Sequence, residues 1–76
     1  MQVDIITPDT VLFSGEALVV TLPGVNGAFQ ILNNHAPIIS ALAKGNVVVK
    51  NNEGEKTFAI QSGIAEVLKN KIVILA

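Results

Sequence analysis

His35 is the sole histidine, and the chain contains no cysteine, so no His or Cys cluster is available to hold zinc or a catalytic metal. As a general base His35 would need a serine and an orienting acid, and Ser14, Ser40, Ser62, Asp4 and Asp9 are the candidates. None of these serines stands in nucleophile-elbow spacing, which leaves a loop or packing histidine as the simpler reading. Glu53 and Glu55 could be paired carboxylates for acid–base work. They flank Gly54 in a polar stretch, where acids are ordinarily just solvated. Gly24-Val25-Asn26-Gly27 has the outline of a GxxG nucleic-acid clamp but lacks its helices and basic surroundings, so it reads as a hairpin loop. No G-x-x-x-x-G-K-[ST] run encodes a phosphate-cradling loop. A small carrier domain would present a modifiable lysine at a hairpin tip, flanked by Asp or Met. Lys50 before Asn51-Asn52, and Lys69 and Lys71 around Asn70, lack those neighbours and read as solubilising edge charges. No catalytic, cofactor-binding or metal set emerges.

Charge narrows the choice of partners. Five Lys, no Arg and six acids give net −1, with the lysines scattered rather than striped. Phosphate-backbone binding needs a basic stripe, and stacking on single strands needs more than three Phe with no Trp or Tyr. Nucleic acid is therefore not an expected partner, and neither is a small-molecule substrate. No apolar run reaches the roughly 18 residues of a membrane helix, and the first residues lack a charged region leading into a hydrophobic one. Neither a membrane span nor secretion by that route is expected. The absence of Cys fits a reducing compartment.

The elements that must position any site are strands. Val, Ile and Thr together supply 23 of the 76 residues, and such branched side chains favour a pleated surface over a helix. Turn chemistry interrupts short apolar runs every 8–12 residues or so, the rhythm of a sandwich or barrel. Strands are predicted near 2–6, 10–13, 16–22, 28–32, 36–42, 46–50, 56–61, 64–68 and 72–75. The breaks include Ser14-Gly15, Gly24 to Gly27, Asn33-Asn34, Asn51 to Gly54, and Lys69 to Lys71. Leu18, Val20 and Leu22 should share a buried side. Val47 to Val49 and Ile72 to Leu75 are apolar on both sides, so those strands lie centrally or meet another protein. The expectation is a single all-β domain over residues 1–76, a two-layer sandwich with one outer face docked.

The size of the chain points the same way. Burial on folding supplies on the order of 110 kcal/mol by area scaling. Ordering the chain at about 1.5 kcal/mol per residue costs nearly as much. With half its residues apolar and no disulfide, the free domain is marginal and a partner covering one surface would help it.

The remaining features form an ordered set: Leu12-Phe13-Ser14-Gly15, the loop Gly24 to Gly27, Asn34-His35-Ala36-Pro37, Gly45, and Gln61-Ser62-Gly63-Ile64-Ala65-Glu66-Val67. In this order and spacing the chain, from Val3 to Leu75, resembles the amino-terminal β-sandwich of the epsilon subunit of the rotary proton-translocating ATP synthase. His35-Ala36-Pro37 is the most specific member of the set. The resemblance implies a non-catalytic central-stalk subunit that grips gamma and rests on the ring of c subunits. It would sit peripherally on the cytoplasmic face of the bacterial inner membrane and couple proton flow and rotation to ATP synthesis. Carried over by position, Gly24, Val25, Asn26, Gly27, Ala28 and Phe29 would face the ring. His35, Ala36, Pro37 and Ile38 would face gamma.

Departures from the family pattern fall at informative places. Gln30 stands where many relatives have Gly, and Asn33-Asn34 where many have Pro-Gly; Asn can adopt the left-handed backbone that such a turn needs. Ala28 stands where relatives often carry an acid, which removes a charged contact with the ring. The family's carboxy-terminal helical hairpin, which in relatives can inhibit hydrolysis or bind ATP, has no counterpart in these residues. A short form that binds no ATP and needs no cofactor is therefore expected. Phe29 reads equally as a ring-contacting anchor or a core residue. The alternative of a different class is a lipoyl- or biotinyl-like carrier domain, which intact mass would separate.

Overall fold

The computed structural model describes residues 1–76 and contains nine strands and no helix. They are β1 (Gln2–Ile6), β2 (Val11–Glu16), β3 (Val19–Gly24), β4 (Gly27–Leu32) and β5 (Ile38–Leu42). These are followed by β6 (Gly45–Asn51), β7 (Gly54–Ile60), β8 (Gly63–Leu68) and β9 (Lys71–Leu75). One layer runs β2-β1-β9-β8-β5 and the other β4-β3-β6-β7. The layers meet at a corner where Gly24 of β3 pairs with Leu42 of β5. There the Ala43 N–H donates to the Pro23 carbonyl at 2.7 Å, and the Val25 N–H to the Ala41 carbonyl at 3.2 Å. All pairings are antiparallel except β1 with β9, which lie side by side in parallel.

Strand alternation builds the core. Val3 and Ile5, Ile72 and Ile74, and Ala65 and Val67 point inward from the first layer. Val20 and Leu22, Ile31, Val47 and Val49, and Ile60 meet them from the second. No polar side chain is buried among them. The folded surface is 4555 Å², close to the roughly 4,400 Å² that mass scaling gives for a compact chain of this size. At the free edges the Phe13 ring of β2 packs on the Phe58 ring of β7, with centroids 5.7 Å apart and planes tilted by 54°. The Lys56 ammonium stands 5.6 Å from the Phe13 centroid, so this seam also holds a cation over an aromatic face.

Three sequence expectations need correction. Ser14 and Gly15 are not a break; they lie inside β2 and pair with Asp4 and Val3. Gly15 is small because the Phe13 ring covers it: a Cβ there would lie 3.2 Å from Phe13 Cζ. Consequently β2 extends to Glu16 and β3 starts at Val19, later than the predicted 16. Leu18 falls in the link between them and is exposed, while Ala17 is buried in its place. The strand predicted from 36 begins at Ile38, since Pro37 has no N–H to give to a ladder.

Two turns rest on left-handed residues. Asn34 has φ 63°, so asparagine does take the conformation a Gly would supply. Lys69 and Asn70 have φ 51° and 60°, the two-residue turn with both central residues left-handed that suits the twist of a hairpin. Asn70 also ties two loops together, its side-chain Oδ1 accepting from the Asn34 N–H at 2.8 Å.

Candidate docking surfaces

Register decides what each outer face presents. On the first layer Ser14, Asp4, Val73, Glu66 and Ile39 stand in one cross-strand row. The row toward one end brings Leu75, Ile64 and Ala41 together. The row toward the other places Lys71 beside Leu68. Ile39 is 74% exposed, and Ile64, Leu68 and Leu75 are each about half exposed. Pro37, Ile38, Ile39, Glu66, Val67 and Leu68 line a shallow hollow on this face. The outer face of the second layer is different. Its middle row is Gln30, Thr21, Val48 and Thr57, and the next pairs Val19 with Leu32 and Lys50, and Lys50 with Glu55. The Gln30 amide donates to the Thr21 hydroxyl at 3.4 Å in that middle row. The first face gathers four exposed large apolar residues toward β5, β8 and β9, whereas the second is mostly polar, with Leu32 its one half-exposed large apolar residue.

The apolar face has a polar margin on β1, β2 and β9. Asp4 Oδ1 accepts from the Ser14 hydroxyl at 2.7 Å and from the Gln2 amide at 2.9 Å, and Lys71 Nζ lies 3.6 Å from Asp4 Oδ2. The Ser14 and Gln2 hydrogen bonds, with help from the Lys71 charge, hold the Asp4 carboxyl below its ordinary 3.8 despite partial burial. A depressed carboxylate stabilises the fold at pH above its unfolded value, and that contribution is lost as pH falls through the folded value. At neutral pH the chain is thus expected to melt above its Asp4→Asn variant, with the gap closing on acidification below 3.8. Melting curves across that range check this. A gap that persisted at the acid end would remove Asp4 from the pH response.

The ends of the sandwich separate the two loop groups. The Gly24–Gly27 turn lies at the Leu42 end of β5, beside the links after β5 and β7. Val25 and Asn26 form its tip and are exposed, as are Gly27 and Ala28. Gly27 has φ 124°, which restricts that position to glycine. Phe29 is not part of the tip: it pairs with Leu22, packs half-buried against the core, and lies over Gly24. A Cβ on Gly24 would come within 2.8 Å of Phe29 Cε1, so this ring holds the turn in place as core. His35, Ala36 and Pro37 lie at the opposite end of β5, next to the β8–β9 turn. The His35 N–H donates to the Leu32 carbonyl at 3.2 Å. His35 Nδ1 is 2.7 Å from the Ala36 carbonyl oxygen, which makes Nδ1 the protonated nitrogen. Ala36 and Pro37 are exposed, and Ile38 is half-buried against the core.

The structure does not assemble the serine, acid and histidine candidates. Ser14 is bonded to Asp4 and Ser40 Oγ to the Ala41 carbonyl, while His35 meets backbone alone. Glu53 sits in the β6–β7 turn, its N–H capped by Asn51 Oδ1 at 2.9 Å, and Glu55 stands opposite Lys50. What sequence reasoning missed is the clustering of Ile39, Ile64, Leu68 and Leu75 around Glu66. Alternation in 64–68 and 38–42 marks each residue as outward, but only strand pairing makes them neighbours.

The structure is a nine-stranded β-sandwich whose exposed large apolar residues gather on one outer face. Residues 1–76 match the family described as the ATP synthase delta/epsilon chain, β-sandwich domain, and the chain belongs to that family. It is 45% identical to the ATP synthase epsilon chain of Chlorobaculum tepidum, over 95% of this chain and 83% of that one. The epsilon chain of Caulobacter vibrioides is 41% identical over 100% of this chain and 88% of its own. The chloroplastic epsilon chain of Tetradesmus obliquus is 40% identical, with 56% of its length covered. Among solved structures, a chain of the Euglena gracilis mitochondrial ATP synthase superposes with TM-score 0.89 at 21% identity, over 97% of this chain and 48% of that one. A chain of the Tetrahymena thermophila mitochondrial central stalk and c-ring gives 0.80 at 18% identity, covering 97% and 60%. Those two likenesses speak to the fold. The sequence relatives make this a non-catalytic epsilon-type subunit of a membrane-associated ATP synthase, and the carrier-domain alternative falls away.

Proposed function

We propose that residues 1–76 act as one central-stalk domain that docks on gamma with its apolar face and on the c ring with the Gly24–Gly27 end. Proton-driven rotation is thereby transmitted as torque. In this reading the domain is peripheral to the cytoplasmic face of a bacterial inner membrane and binds no ATP itself. The observation that carries it is the contrast between the two outer faces: Ile39, Ile64, Leu68 and Leu75 form an exposed apolar cluster across β5, β8 and β9 that a partner would cover, and the Thr-lined face has no such cluster. Burying that cluster against gamma lowers its exposure to water, at roughly 25 cal/mol per Å² of apolar surface covered. Pro37 fixes its own φ and holds Ala36 extended, so the His35–Ile38 segment borders the face in one shape. The exposed Val25-Asn26 tip lies at the far end of β5, which gives each partner its own surface.

Reconstituted vesicles test this division. A bulky residue at Asn26, for example Asn26→Trp, is expected to leave the sandwich folded, since loop tips tolerate substitution. It should weaken ATP-driven proton pumping several-fold while hydrolysis by the catalytic head continues. Disturbing Ala36 and Pro37 should instead release the subunit from the purified complex. Normal pumping with the Asn26 variant still bound would take that loop off the ring.

A further inference from the structure

We infer that Glu66 is the ionic anchor of the apolar face, and that gamma meets it with a lysine or arginine set beside an apolar side chain that fills the hollow. The inference rests on the proposed docking of this face to gamma and specifies what that partner must present.

Glu66 is exposed at the middle of β8, between Ile64 and Leu68 on its own strand and between Ile39 and Val73 across it. Its carboxylate makes no hydrogen bond or ion pair, whereas the other acids of this face are already met, Asp4 by Ser14, Gln2 and Lys71, and Glu16 by the N-terminal ammonium at 3.5 Å. The one lysine of the face, Lys71, is the residue beside Asp4. Glu66 is thus the one unpaired charge within the apolar cluster of Ile39, Ile64, Leu68 and Val73, away from the polar margin on β1 and β2. Covering that surface strips water from the carboxylate, and a desolvated, unpaired carboxylate is costly unless the partner supplies a cation. The same cost rejects an apolar or acidic partner, so Glu66 adds selectivity to a face whose other groups adhere without discrimination. Glu66 also forms a wall of the hollow with Pro37, Ile38, Ile39, Val67 and Leu68. An apolar side chain seated there places a neighbouring cation within reach of the carboxylate.

Binding of the full chain to the gamma subunit, measured by titration at low and moderate salt, tests the assignment. Glu66→Leu enlarges the apolar face; if the charge were a mere interruption of that face, binding would tighten. The anchor predicts the reverse: at least tenfold weaker binding for Glu66→Leu, a similar loss for the near-isosteric Glu66→Gln, and a greater one for Glu66→Lys. Melting temperature should barely move, since the side chain supports nothing in the fold. Wild-type affinity should also fall with salt more steeply than that of Glu66→Leu. Equal or tighter binding by Glu66→Leu, with wild type bound, overturns the anchor and leaves the docking reading standing. A wild-type chain that does not bind gamma at all overturns both.

Discussion

Replacing Ile72 by alanine is expected to remove about 2–5 kcal/mol of stability, enough to leave much of the free chain unfolded near body temperature. Ile72 has no exposed surface and sits on β9, the middle strand of its layer, between Val3 of β1 and Val67 of β8. All three point into the same core, so truncation opens a void that neighbours on both sides already fill and cannot easily close. A chain of 76 residues has a total stability of roughly 4–11 kcal/mol, so the loss is a large share of the whole. The chain contains no cysteine, so no disulfide offsets it. At about 4–8 °C per kcal/mol for a domain this small, the melting temperature should drop by about 8 °C or more. Urea denaturation of the two chains measures the difference directly. A loss under about 1 kcal/mol would mean that the layers relax into the void, and that the core is less close-packed than its burial indicates.

A marginal domain of this kind gains from its partner by mass action. Anything that binds the folded chain and not the unfolded one raises the apparent melting temperature. The Ile72→Ala chain should therefore recover part of its melting temperature when saturated with gamma, because β9 also carries Val73 and Leu75 on the proposed docking face. Core and proposed docking face are opposite sides of the same strands, β8 and β9, so one short segment serves both.

Why the fold was legible and the face was not follows from the range of the signals. Branched residues and turn chemistry act locally, so all nine strands could be placed from short windows. Ser14-Gly15 looks like a turn by local chemistry, but pairing with Asp4 and Val3 of β1 keeps it in the strand, and the Phe13 ring over Gly15 accounts for its small size. Leu18 departs for the opposite reason: its alternation with Val20 and Leu22 runs on before Val19, but Val19 is the first residue the ladder holds. Phe29 could not be assigned from sequence, since a large apolar residue beside a turn serves as core or contact equally well; pairing with Leu22 decides it. The Asp4–Ser14 bond and the Glu66–Ile39 pair join residues far apart in the chain, and no periodicity in one segment reports on another. The ordered motifs identified the family, yet they did not draw the apolar face.

The second large effect falls on that face. Ile39→Asp is expected to reduce gamma binding at least a hundredfold while leaving the sandwich folded. Ile39 is 74% exposed, so its side chain contributes little to the free fold, and surface changes of this kind usually shift stability by less than about 0.5 kcal/mol. The new carboxylate would stand directly across from Glu66, a like-charge pair that costs a few tenths of a kcal/mol in the free chain. Under gamma the cost grows, because two adjacent carboxylates must then lose water with one cation to share. A loss of about 3 kcal/mol corresponds to the hundredfold change. Two companions isolate the cause. Ile39→Ser removes the apolar group without the charge and should weaken binding by about tenfold, the effect of truncating a well-placed contact. Thr57→Asp puts the same charge on the outer face of the second layer, opposite Val48, and should leave binding unchanged. Melting curves of all three establish that each is folded. If Thr57→Asp weakened binding as much as Ile39→Asp, the charge would be acting on the subunit as a whole. If Thr57→Asp alone weakened it, gamma would be docking on the polar face.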